Sequence, residues 1–130
     1  SFLMKFDNAM LKLHREFRIL DERSVNRIYD NNHDKIVAFT RGEFLMVFNF
    51  HPNKSFTDYG IPVKGKFRIV LDTDDPEFGG FDRLKRNVSY TSIRKTQRQT
   101  LDQPFHLYLY LPSRTGLVLK IEPTRRATDI

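Results

Sequence analysis

Asp72, Asp74, Asp75 and Glu77 place four carboxylates in one short stretch, and a cluster of that kind has two familiar chemical uses. A calcium loop needs Asp or Asn at alternate positions and a glycine at the sharp turn. Pro76 and Glu77 stand where those residues are required. A glycosidase pair needs two carboxyls facing each other across a cleft at ~5–9.5 Å, which neighbours on one turn do not do. Asp-Asp-Pro ahead of Gly79-Gly80 reads instead as turn chemistry closing a strand. The histidines His14, His33, His51 and His106 share no ligand spacing, so no metal site is expected. His51, before Pro52, reads as a strand-end hydrogen-bonding residue, and His106 as a partly exposed residue alternating with tyrosines. There is no Gly-x-Ser-x-Gly, P-loop or Gly-x-Gly-x-x-Gly, and without cysteine there is no thiolate chemistry and no disulfide. The expectation is therefore no catalytic residue, no metal and no cofactor. Asn53-Lys54-Ser55 and Asn87-Val88-Ser89 match the glycosylation pattern, but without a secretory leader they read as coincidental.

Charge is the next feature that could act. The chain carries a formal net charge of +6, and Arg83, Lys85, Arg86, Arg94, Lys95 and Arg98 follow one another with no acid between Arg83 and Leu101. With Tyr90 available for stacking, this fits a nucleic-acid patch. The threonines, serines and glutamines filling the gaps favour a solvated loop.

The elements that must position these groups follow from periodicity. At 130 residues the chain suffices for one core and falls short of a (β/α)8 barrel, which needs roughly 250. No stretch approaches the ~20 apolar residues of a membrane span, so no membrane partner is expected. Phe2, Phe6, Met10, Leu13 and Phe17 recur at helical spacing, and Leu3, Met4 and Leu11 widen the stripe enough for contacts on two sides. Asp21–Asp34 reads as a connector with room for a helical turn around Ser24–Tyr29. From Lys35 the period becomes two. Lys35–Thr40 and Glu43–Phe50 read as a hairpin joined at Arg41-Gly42. In its second arm Phe44, Met46, Phe48 and Phe50 line one face and Leu45 and Val47 the other. A strand apolar on both faces is central. Lys66–Leu71, with Phe67, Ile69 and Leu71 inward, and Phe105–Leu111, with Phe105, Leu107, Leu109 and Leu111 inward and His106, Tyr108 and Tyr110 outward, alternate cleanly. Gly116–Ile121 resumes after a break at Pro112–Arg114. Ser55–Val63 and Val88–Ser92 are candidate additional strands. Phe48, Phe67, Ile69, Leu107, Leu109 and Leu119 are expected to be buried together.

A resemblance enters on longer motifs. Lys35-Ile-Val-Ala-Phe-Thr-Arg-Gly, then Phe48-Asn-Phe-His-Pro-Asn-Lys-Ser-Phe-Thr-Asp-Tyr59, then Gly65-Lys-Phe-Arg-Ile-Val-Leu-Asp-Thr-Asp74, Glu77-Phe-Gly-Gly-Phe81 and Pro112-Ser-Arg-Thr115 together resemble the C-terminal domain of 1,4-α-glucan (glycogen) branching enzymes of the α-amylase superfamily. Phe6-Asp-Asn-Ala-Met10 resembles the last helix of that family's catalytic barrel. After Phe81 the text Asp82-Arg83-Leu84-Lys85-Arg86 departs from the family's pattern.

The resemblance implies an all-β antiparallel sandwich of the α-amylase C-terminal type, preceded by one N-terminal helix. Residues 1–20 would be the last helix of a catalytic barrel, 21–34 a connector, 35–122 the all-β domain and 123–130 a flexible tail. The implied function is non-catalytic: stabilising a (β/α)8 barrel that cuts α-1,4-glucan and rejoins it through α-1,6 links, in the cytoplasm, with α-glucan as a surface contact. Tyr59, Tyr108 and Tyr110 are the candidate glucan-stacking residues. A fragment freed of its barrel would expose the helix stripe and either self-associate through it or hold it against its own sheet edge. Two rivals stand at this point: a free-standing carbohydrate-binding module, against which the absence of Trp weighs, and a basic nucleic-acid-binding β-domain, which rests on charge and one loop.

Overall fold

The computed structural model describes residues 25–76, 80–95 and 103–123. The helix expected over 2–17, self-association through it, and the tail beyond Pro123 fall outside the described residues. Nine strands form among those described: β1 (Val25–Asn31), β2 (Ile36–Arg41), β3 (Phe44–Asn49), β4 (Phe56–Ile61), β5 (Lys66–Asp72), β6 (Ser89–Thr91), β7 (Ile93–Arg94), β8 (Phe105–Leu111) and β9 (Thr115–Ile121). Six make one sheet in the order β1-β2-β3-β9-β5-β6, and three make a second in the order β4-β8-β7. Every pairing is antiparallel. The described residues contain no helix long and apolar enough to cross a membrane.

Local sequence explains the first steps. β2 and β3 pair from Arg41 opposite Phe44 back to Ile36 opposite Asn49, which leaves Gly42-Glu43 as a two-residue turn. Gly42 has φ +55, a left-handed value that primed hairpin turns demand there and that glycine adopts without strain. β3 is central, as its two apolar faces require. Leu45 opposite Leu119 and Val47 opposite Leu117 turn inward. They meet Ile61, Leu107, Leu109 and Leu111 of the small sheet in one cluster with Ile36, Ala38, Phe67 and Ile69. Burying each such aliphatic side chain is worth ~1.5–3 kcal/mol, so this two-sheet interior is where the fold's stability resides.

The structure corrects three expectations. Phe48 is not in that interior. It lies on the opposite face of the large sheet with Phe39, Phe44, Met46, Leu71 and Val118, because strand alternation sends it to the side away from Leu45 and Val47. Leu71 is on that face too. The β5–β9 register slips between Ile69 and Leu71, so the bulge at Val70 reverses the side on which everything after it points. Residues 25–29 form no helical turn but part of β1, which begins ten residues ahead of the expected start of the sheet. A second irregularity between Arg27 and Tyr29 lets both Ile28 and Tyr29 pack against the interior, and this hides the period of two.

Candidate functional site

The chain crosses from the large sheet to the small one through residues 50–55 and back through 112–114, and both crossings lie at the end of the sandwich where β5 also finishes. Asn49, buried at the tip of β3, ties them together. Its amide donates to the carbonyls of Lys54 and Leu111, both at 3.0 Å, and its Oδ1 accepts from the His51 amide at 2.9 Å. His51 Nδ1 accepts from the Lys54 amide at 3.0 Å and the Asn53 amide at 3.3 Å, the loop-organising role its sequence position suggested. The Ser113 amide donates to Ser55 Oγ at 2.9 Å, and the Gly116 amide to Thr73 Oγ1 at 3.0 Å.

The acidic stretch is built into the same end. The Val70 bulge leaves Asp72 opposite Leu117, pointing inward and buried. Arg86 meets Asp72 through Nε at 2.6 Å and Nη2 at 3.2 Å, and reaches Asp82 through Nη1 at 2.6 Å. Asp74, also buried, accepts from the Arg83 guanidinium at 2.7 and 3.0 Å and from the amides of Arg83 at 2.6 Å and Phe81 at 3.3 Å. Burial alone would raise the Asp74 pKa. The hydrogen bonds from Arg83 and Phe81, with the Arg83 charge, outweigh it and hold the carboxyl below the usual range. Its partners Asp72 and Asp74 hold Arg86 and Arg83 more firmly protonated than an ordinary guanidinium. Gly80 is pressed onto the backbone of Asp74, where a Cβ would collide with its main-chain atoms. So Asp72 and Asp74 are committed to internal ion pairs, and with them Arg86 and Arg83, two of the six basic residues of the 83–98 run. Among the described residues no group of three or more His, Asp or Glu comes together as a metal site.

These ties shape a groove of about 550 Å³ lined by Phe48, Phe50, Pro52, Asp74, Phe81, Arg83, Arg114 and Thr115, among others. Phe50 and Phe81 are 64% and 79% exposed. Phe50 stacks on Phe48 with ring centroids 5.7 Å and planes 9° apart, and the Arg83 guanidinium carbon lies 5.1 Å from the centre of the Phe81 ring. Sequence reading grouped Phe50 with its strand and did not single out Phe81. The available signal was that one follows the last paired residue of β3 and the other stands in a loop after Gly-Gly.

The tyrosines proposed for stacking are dispersed. Tyr59 pairs with Leu109, whereas Tyr108 pairs with Gly60, so Tyr59 and Tyr108 belong to opposite faces of the small sheet. Tyr108 is half-buried, with the Lys95 ammonium 4.8 Å from its ring centre. Tyr110 is half-buried against the interior. His106 is half-buried as well, its Nδ1 enclosed without a hydrogen-bond partner among the described residues. The Tyr59 hydroxyl donates to Asp34 Oδ2 at 2.8 Å and lies 2.6 Å from the Tyr29 hydroxyl, which accepts from Asn31 at 3.3 Å. Burial, then the hydrogen bonds with Tyr29 and Asp34, push its ionisation far upward. In an alkaline absorbance titration, wild type and Tyr59→Phe are expected to separate only well above the ordinary phenol pKa of about 10. Separation near the ordinary value would mean the network does not hold.

The architecture and sequence define a class. Residues 28–122 match the family model for the alpha amylase C-terminal all-beta domain, and the chain belongs to that family. It is similar to the 1,4-alpha-glucan-branching enzymes of Aspergillus oryzae (42% identity over 126 residues, 95% of this chain and 18% of that protein), Dictyostelium discoideum (45% over 121 residues, 91% and 17%) and Felis catus (40% over 124 residues, 92% and 17%). The chain therefore spans less than a fifth of the length of these curated relatives. Parts of the motifs carrying the resemblance line the groove: Phe48, Asn49, Phe50 and Pro52 of one, Gly80 and Phe81 of another, and Ser113 to Thr115 of a third.

Proposed function

We propose that this chain is the C-terminal all-β domain of a cytoplasmic 1,4-α-glucan-branching enzyme, that it has no catalytic groups of its own, and that it stabilises the catalytic barrel and touches glucan. The observation that carries the reading is the family match over residues 28–122, joined to identity of 40–45% with three branching enzymes over more than nine-tenths of this chain. The state of the carboxylates supports the non-catalytic part. A general acid must hold its proton near neutrality, and Asp74, held below the usual range by Arg83, does not. Asp72 is likewise closed off by Arg86. Bond cleavage and transfer would then belong to carboxylates of the barrel, and this domain would supply rigidity and surface.

The test has two arms. The purified chain incubated with amylose is expected to form no α-1,6 links by proton NMR, and the enzyme that contains it is expected to lose thermal stability when residues 25–123 are deleted. Branch formation by the chain alone, or a deletion that leaves the barrel as stable and active as before, would overturn the reading.

A further inference from the structure

We infer that the groove at the Asn49 end of the sandwich is a glucan subsite, with Phe50 and Phe81 as its stacking platforms. This inference rests on the reading above and gives it a location. Each ring is backed on one side, Phe50 by the parallel Phe48 ring and Phe81 by the Arg83 guanidinium, which Asp74 in turn fixes. At 64% and 79% exposure the opposite faces stand open. A ring held from behind loses little freedom when a ligand stacks on it, and such preorganisation is what makes a small contact count. A contiguous exposed apolar patch rimmed by polar groups marks an interaction or ligand site.

The chemistry of the lining narrows the occupant. The buried charge, Asp74, is already matched by Arg83, so an ionic ligand meets no uncompensated buried counter-charge. What the groove offers is apolar ring faces below and hydrogen-bonding groups around them, from Ser113 and Arg114. A pyranose has this complementary character, with C–H groups on its faces and hydroxyls on its rim. The volume of about 550 Å³ lies within the range of small-ligand clefts, enough for a short run of sugar rings. Arg114, held at φ +55 between β8 and β9, provides an exposed donor for those hydroxyls.

Affinity electrophoresis of the full chain in amylopectin gels tests this. Retardation is expected for wild type and unchanged by added salt, since the ligand is neutral. Phe50→Ala and Phe81→Ala should each weaken it about five- to tenfold, the loss of one ring contact. Phe50→Tyr, Phe81→Tyr and the Tyr108→Ala/Tyr110→Ala double variant should keep it. Far-ultraviolet circular dichroism and urea midpoints identify any variant that fails to fold, and for such a variant the Phe→Leu replacement is read instead. Equal retardation of wild type and the two alanine variants overturns the subsite. So does retardation lost only with Tyr108 and Tyr110, retardation abolished by salt, or retardation blocked when the catalytic portion of the enzyme is added in trans, which would make the groove its docking surface. If wild type is not retarded at all, the subsite falls, while the stabilising role, read from the barrel deletion, stands or falls separately.

Discussion

Arg83→Met is expected to destabilise the domain by about 3–5 kcal/mol, because it keeps most of the arginine stem and leaves a buried carboxylate without its partner. Asp74 is enclosed, and its side chain is 1% exposed against 29% for Arg83, so the residue left behind has little recourse to water. The effect carries a pH signature. The Asp74 carboxyl titrates lower in the folded protein than in the unfolded chain, so its contribution is fully present above the unfolded pKa of about 3.9 and disappears as pH falls through the lower folded value. Urea unfolding of wild type and variant should therefore differ most near neutrality and converge in acid. Asp74→Asn added to Arg83→Met should recover part of the loss, since the amide removes the stranded charge and its single oxygen still accepts from the Arg83 amide, the shorter of the two backbone bonds. A pH-independent cost under about 1 kcal/mol would mean the pair behaves as a surface salt bridge.

Leu109→Ala should cost about 2–5 kcal/mol, the transfer energy of the lost methyl groups plus the cavity they leave. Leu109 is 2% exposed and sits where the middle strand of the small sheet faces the large one, with Leu107 and Leu111 beside it. The interior cannot collapse around the gap without moving a strand paired on both sides. Ile93→Ala, at an exposed position of the edge strand β7, should stay within about 0.5 kcal/mol of wild type. A Leu109→Ala cost below about 1 kcal/mol would place that side chain outside the packed interior.

Much of this molecule can be read from its residues, and the failures have local causes. Where strands are regular the period of two gave the right face: Leu107, Leu109 and Leu111 on β8, Leu45 and Val47 on β3, Phe67 and Ile69 on β5. Arg41-Gly42 located the hairpin within a residue. Leu71 was placed on the wrong face because a bulge changes parity without leaving a mark in composition, and β1 was missed because its own irregularity interrupts the alternation at Ile28. Phe48 was placed in the wrong cluster since a strand apolar on both faces does not say which face meets the second sheet. Arg83 and Arg86 read as a solvated run because their partners, Asp72 and Asp74, stand nine to fourteen positions away, beyond the reach of any helical or strand spacing. The exposed aromatics of the groove were illegible for a related reason. Exposure of Phe50 depends on where β3 stops pairing, and Phe81 lies in a loop with no period at all.

The place of β9 has a consequence for how the domain comes into being. The last of the described strands in chain order is not at an edge but between β3 and β5, and it supplies Leu117, Val118 and Leu119 to both faces. Until it arrives, β3 is an unpaired border carrying Phe44, Leu45, Met46 and Val47, the kind of apolar edge that recruits other chains. On the ribosome, about seventy residues separate the end of β3 from the end of β9, a wait of roughly 4–14 s at ordinary elongation rates. β9 thus keys the described sheet shut. A chain stopped before Thr115 would present two open borders instead of a shorter version of the same domain.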